Sequence, residues 1–289
     1  MRTPTPRPRL RLLLLDGSPG AAALLLLAAH RALPPFDAVL VPDTGWYPAA
    51  GYRALDRLRG IASEAAMGWE PVKTAPIAHR TLNPRGSVPL LPLFALHPDG
   101  TLGRFPEGCA RSTAMALTQC IRRLLGYPRP TPIPDGIVAQ CATGTGTDHA
   151  HPGPAVGPPF VRLHRPLADI GWSAQDCRAL LFHHGLDPNP DLSCTACPHR
   201  SNRSWARLRR TEPDVFADVV AVDVLIRHCG PQAATHGMPP GTTFFLHPSR
   251  TPLDQVDLSA DTDVAPDRCV PWACHGSATG GTANGDGIR

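Results

Sequence analysis

The sequence predicts an α/β protein in which a parallel sheet is flanked by helices, with a helical, cysteine-containing portion toward the C-terminus. Two strand-plus-helix units in tandem carry that prediction, together with an apolar content of 42%, enough to fill a core. Leu10 to Leu15 is a short apolar run suited to a fully buried strand, Asp16 to Gly20 is turn chemistry, and Ala21 to Leu33 is built from strong helix formers. Ala38 to Val41 supplies a second buried strand ending at Pro42, and Ala49 to Ala62 places Tyr52, Leu55, Leu58 and Ile61 at helical spacing. Ligands in parallel sheets gather at the carboxyl ends of the strands, so the loops at 16–20 and 42–48 are predicted to lie side by side as the functional edge.

Further along, residues 74–100 are rich in proline and turn residues, and helical patterning returns over Thr113 to Leu125. Ile137 to Ala142 reads as a third strand. Thr143 to Pro159 has no apolar period and is expected to be a long active-site or disordered loop. Ser173 is the expected N-cap of a helix reaching His184, with Asp176 three residues on and Cys177, Leu180 and Leu181 as its apolar stripe. Asn202 to Arg210 and Pro213 to His228 read as two more helices. The organisation expected is one domain over 10–258, preceded by a disordered 1–9 and followed by a polar, largely disordered tail at 259–289 that holds two cysteines.

Composition narrows the functional classes. A net charge of +4 is too small for nucleic-acid binding by bulk electrostatics, although a local patch could attract phosphate. Of 28 basic residues only Lys73 is lysine, so arginine counts by themselves prove little. Leu12 to Leu15 and Leu24 to Leu27 superficially resemble a secretory signal, but Asp16 to Gly20 interrupts them. A signal core needs about 7 to 15 uninterrupted apolar residues and a membrane span about 20. A cytoplasmic protein without a membrane partner is therefore expected. Nine unevenly spaced cysteines then point to metal binding or free thiols rather than a disulfide framework.

The sharpest local signal is Ser193-Cys194-Thr195-Ala196-Cys197-Pro198, because a CxxC pair on a tight turn directs two thiolates at one centre. A complete zinc or iron–sulfur centre needs further ligands, for which Cys109 is the first candidate and Cys269 and Cys274 a second source. His183, His184 and His199 are other donors. A redox dithiol is the alternative for Cys194 and Cys197. Cys120, Cys177 and Cys229 sit on helical stripes and read as small buried apolar residues. Arg200, Arg203, Arg207, Arg209 and Arg210 follow the CxxC and form either a phosphate-binding patch or an ordinary solvated face.

Val41-Pro42-Asp43-Thr44-Gly45-Trp46, followed by a helix containing Tyr52, resembles the "ADTGWE" strand end of phosphoadenosine phosphosulfate reductase-like proteins, a branch of the adenine nucleotide α-hydrolase (PP-loop) superfamily. Other pieces fall in the same order. Cys109 with Ile121 to Gly126 resembles the family's cysteine-plus-arginine helix, and Pro166 to Ser173 its "PL.ELGM" lead-in. Ser193 to Pro198 with Trp205, Arg207 and Leu208 resembles "CxxCPF.S...W..L". Leu246 to Leu253 resembles "LHRS..PL", and Cys269 with Cys274 its cysteine-containing tail. The likeness runs from about residue 10 to about residue 276.

The resemblance implies an adenine nucleotide α-hydrolase-like fold and an adenine nucleotide such as ATP or phosphoadenosine phosphosulfate. Gly17, Ser18 and Gly20 would hold it together with Asp43, Thr44, Gly45 and Trp46. It implies an iron–sulfur cluster, or zinc, on Cys109, Cys194, Cys197 and Cys274, and names Cys109, Asp43 and Asp148 as candidate catalytic residues, with magnesium as a candidate ion at Asp148. The implied activity is sulfur reduction, or sulfur transfer to a nucleotide or nucleic acid, with a reductant or sulfur-donor protein as partner. The alternatives are a nucleotide-binding module that has lost turnover and a structural zinc protein that binds nucleic acid. The chain departs from the family pattern at Ala21 and Ala22, where a serine or threonine is usual, and at Asp16, which adds a negative charge near the phosphates. It also has Ala114 in place of a lysine, and Thr147-Asp148-His149 in place of "STDE".

Overall fold

The computed structural model describes residues 7–75, 77–82, 91–105, 108–148, 157–188, 192–228 and 237–259 of the chain. Five parallel strands form the central sheet: β1 (Leu10–Leu14), β2 (Ala38–Asp43), β3 (Gly68–Lys73), β6 (Ala139–Ala142) and β7 (Val161–His164), in the spatial order β3-β2-β1-β6-β7. β1 lies at the centre and is covered on both faces, so Leu12, Leu13 and Leu14 are all fully buried and the strand reads as an unbroken apolar run.

Helix α1 (Pro19–Ala29) and helix α2 (Ala49–Glu64) carry the crossovers β1 to β2 and β2 to β3, and α6 (Ala174–His183) packs beside α1 on the same face. Helix α4 (Gly108–Leu124) covers the other face over Leu12, Leu14 and Leu40. α1 is buried on every side, with Leu24 and Leu25 fully enclosed, which is why it lacks a polar stripe. It stops at Ala29, short of the expected Leu33. Arg31 adopts a left-handed φ of 60°, and the amides of Arg31 and Ala32 close back on Ala28 and Leu27.

A second, smaller layer follows. β4 (Phe94–Leu96) pairs antiparallel with β5 (Leu102–Arg104) and β8 (Thr243–Phe245). α3 (Ile77–Leu82), α7 (Asn202–Thr211) and α8 (Pro213–Ile226) pack with this sheet around Trp205 and Phe244, while α5 (Pro166–Asp169) is a single turn leading into α6. The buried carboxylate of Asp223 on α8 accepts the amides of Leu246 (2.8 Å) and Leu253 (3.1 Å) and pairs with Arg227. One charge thus fixes two returning segments against the helix.

β2 runs through Pro42 rather than ending there. β1 finishes at Leu14, so no neighbour on that side needs the missing N–H, and the Pro42 carbonyl instead accepts the Tyr47 hydroxyl at 2.6 Å. Cys120 and Cys177 are buried, as their helical stripes imply, and the capping box of Ser173 with Asp176 forms as expected. Positions 1–6, His149, Cys229, Cys269, Cys274 and the tail at 260–289 lie outside the described residues. No helix among the described residues is long and apolar enough to cross a membrane.

Candidate functional site

The carboxyl edge of the central sheet carries the loops at 16–20, 44–48 and 143–148, as tandem crossovers require. In the second loop the Asp43 carboxylate accepts the Gly45 amide at 2.9 Å, and Gly45 takes a φ of +67° that a side chain would oppose. Asp43 therefore shapes the turn that presents Thr44 and Trp46.

The segment 192–197 lies across this edge. Its Leu192 side chain presses on the first loop, so closely that a Cβ added at Gly17 would come within 2.8 Å of the Leu192 Cβ. Its Thr195 donates to the Trp46 carbonyl from both the amide (2.7 Å) and the hydroxyl (2.9 Å). The Cys194 thiol stands 3.3 Å from the Thr44 hydroxyl. Cys109, the second residue of α4, packs on the same apolar cluster as Trp46 and Cys194, and the start of α4 is tied to the end of β3 by Ala75 N–H to Ser112 Oγ at 3.2 Å.

Cys109, Cys194 and Cys197 are close enough for their charges to act on one another. Burial pushes the Cys194 thiol up to about 11; Thr44 and Arg200 favour its thiolate, while Cys109 opposes it. Cys197 is raised further, first by burial and then by the charges of Cys194 and Cys109. No protein-family model matches the chain, and no curated protein matches it in sequence. Among solved structures the chain is similar to the U34-tRNA thiolase NcsA from Methanococcus maripaludis, solved with its 4Fe-4S cluster. The identity is 12%, the TM-score 0.38, and the likeness covers 78% of this chain and 74% of that one. A likeness that distant is no argument for family or activity, and the architecture rests on the strands and helices themselves.

The donor set suits a thiophilic metal in kind, because it offers three soft thiols from two independent elements. Among the described residues no three ligating side chains are already grouped to hold an ion, so metal entry would have to draw the thiols together. His199, buried two residues after Cys197, belongs to this neighbourhood. His183 and His184 do not. His184 packs on His30 at the C-terminal end of α1, and His183 meets His184 edge-on, at the opposite edge of the sheet.

The phosphate-loop residues are already engaged with one another. The Ser18 amide donates to Asp16 Oδ1 at 2.9 Å, the Ala21 amide donates to Ser18 Oγ at 3.0 Å, and Pro19 has no N–H, leaving Gly17 and Gly20 as the remaining donors of the turn. The backbone of Gly144 presses on the same helix start, where a Cβ on Gly20 would meet the Gly144 carbonyl oxygen at 2.0 Å. Asp148 sits at the head of α6, where its carboxylate accepts the Ala174 amide at 3.1 Å.

The arginine cluster divides. Arg203, Arg209 and Arg210 are exposed, and Arg207 pairs with Asp187. Arg200 is buried, at 3% exposure, with its guanidinium bound to the carbonyls of Ser193, Cys194 and Thr195 at 3.1 Å each, to Ser204 Oγ at 2.7 Å, and over the Trp205 ring. Its role in shaping the CxxC turn had no signal in an arginine-biased sequence. The roofing by Leu192 and the clamp by Thr195 depend on tertiary approach and were equally silent.

Proposed function

We propose that the chain is a phosphoadenosine phosphosulfate reductase-like, nucleotide-binding protein that acts in sulfur reduction or sulfur transfer, with Cys109, Cys194 and Cys197 as ligands of an iron–sulfur cluster or zinc. The observation that supports this reading is the docking of the CxxC turn onto Thr44 and Trp46, with Cys109 packed on the same apolar cluster. A thiol site and a candidate nucleotide edge are thereby joined. A cluster held by three cysteines would supply an iron position open to sulfur. The protein's part is to hold the thiolates, with the Thr44 hydroxyl and the Arg200 charge offsetting part of the burial of Cys194. The phosphates of an adenine nucleotide would reach the Gly17 and Gly20 amides, Asp43 to Trp46 would line its other side, and Cys274, the candidate fourth ligand, would close the site where it binds. A nucleotide or nucleic acid is the proposed sulfur acceptor, a reductant or sulfur-donor protein the proposed partner, and the cytoplasm the proposed compartment.

The test is anaerobic purification followed by iron, zinc and acid-labile sulfide analysis of the wild type and Cys194→Ala. Iron with sulfide in the wild type, lost in the variant, is the expected result. A metal-free wild type would end the cluster and zinc versions together.

A second reading, a nucleotide-binding module without turnover, is favoured by one observation: Asp16 occupies the Ser18 amide, a donor that a phosphate would otherwise use. On this reading Asp16→Ala, which frees the Ser18 amide and removes the carboxylate's charge, tightens ATP binding several-fold in calorimetric titration. Equal or weaker binding by the variant would remove Asp16 as the obstacle.

A further inference from the structure

On the helix layer that covers one face of the sheet, α1, α2, α6 and α7 enclose a cleft of about 290 Å³. Its floor is apolar: Ala22, Leu58 and Leu181 are buried beneath it. Its rim is basic. Arg53 and Arg57 stand one turn apart on α2, both exposed, and neither has a hydrogen-bond or ion-pair partner among the described residues. Arg207 on α7 faces them and is paired with Asp187, the one acidic residue in the lining, so the cleft keeps an excess of two positive charges.

The first turn of α2 cannot serve an anion there, because Glu212 already accepts the amides of Ala49 (3.1 Å) and Ala50 (3.2 Å). The positive groups left for a ligand are the guanidinium forks, which match a carboxylate, sulfonate or phosphate in two-point fashion. An apolar floor beneath a charged rim, in a space close to the smallest ligand pockets, selects for a compact apolar body with a single anionic head.

We propose that this cleft binds a small amphiphilic organic anion, its head on Arg53 and Arg57 and its body over Leu58 and Leu181. None of the three cysteines lines the cleft, and the proposal stands or falls independently of any sulfur chemistry. An extended phosphodiester is the competing occupant, and it fits less well, since it would use the rim and leave the apolar floor uncovered.

The probe is 8-anilinonaphthalene-1-sulfonate, titrated into the full chain by fluorescence. Saturable binding at one site is expected, weakened about ten-fold or more in the Arg53→Ala, Arg57→Ala double variant and unchanged in Arg59→Ala, which lies on the same helix outside the cleft. Both replaced side chains are exposed, so folding should survive, and an unchanged urea midpoint checks that it does. Equal affinity in the double variant would overturn the proposal. So would equally tight binding of the uncharged N-phenyl-1-naphthylamine, or displacement of the probe by a single-stranded oligonucleotide at concentrations where an aryl phosphate fails.

Discussion

Arg200 faces four oxygen acceptors at once, three of them consecutive carbonyls of the turn that presents Cys194 and Cys197. Carbonyls directed inward at a tight turn need donors, and a planar guanidinium supplies several in a fixed fork, whereas an ammonium is a point charge on a flexible stem. Arg200→Lys keeps the charge and loses the fork. Leaving buried carbonyls short of donors costs about 1 to 3 kcal/mol, and the loss falls on the turn. The expected signature is labelling of Cys194 and Cys197 by a thiol reagent about ten-fold faster than in the wild type, while Cys141, fully buried in β6 and raised by burial to about 12, stays unreactive. Labelling rates equal to those of the wild type would show that the turn holds its shape without the fork.

Helix starts and strand ends are where this fold takes its close contacts. Gly144 lets the loop after β6 approach the head of α1, and a Cβ there would come within 2.2 Å of the Ala21 nitrogen and 2.3 Å of Ser18 Oγ. Gly60, exposed on α2, meets nothing within 4 Å. The same substitution should therefore act with opposite signs: Gly144→Ala destabilises by about 1 to 3 kcal/mol through forced backbone movement, while Gly60→Ala stabilises by up to about 1 kcal/mol through helix propensity. Urea midpoints of the two variants decide it, and a Gly144→Ala protein as stable as the wild type would refute the contact. Legibility follows burial in the same way. The central elements β1, α1 and β2 were readable because burial on both faces demands long apolar runs, and α2 because its single buried stripe repeats at helical spacing. The edge strands β3 and β7 were not, since Gly68 to Lys73 buries only Val72 and contains Pro71, and Val161 to His164 buries only Val161. The short antiparallel sheet joins residues about 150 positions apart in three-residue strands, too brief for any period to register. At the site, the CxxC and Asp43 to Trp46 were legible as chemistry, but their mutual contact was not, because nothing local encodes Thr195 meeting Trp46.

At the scale of the molecule, the segment after β8 is tied to the start of α7, the helix that follows the CxxC turn. His247 Nδ1 accepts the Ser249 amide at 3.2 Å, so that nitrogen is unprotonated, and Nε2 donates to the side-chain oxygen of Asn202 at 2.8 Å. Asn202 opens α7 directly behind the CxxC turn, so one neutral imidazole links the antiparallel layer to the arm that spans the carboxyl edge. Burial holds the His247 pKa below its ordinary value of 6.5, with the Asp223 carboxylate pulling weakly the other way. The unfolded chain therefore takes up a proton at His247 before the folded one does. Stability from this residue is intact above pH 6.5 and is lost as pH falls from there through the lowered folded value. His247→Gln offers the same acceptor and donor without a titrating group. Its urea midpoint at pH 7.5 should sit at or slightly below that of the wild type, and it should fall less between pH 7.5 and pH 5.0. Carboxylates and other histidines titrate in both proteins, so the difference between the two falls isolates residue 247. Parallel falls would mean that the tie between His247 and the start of α7 does not depend on the charge state of His247.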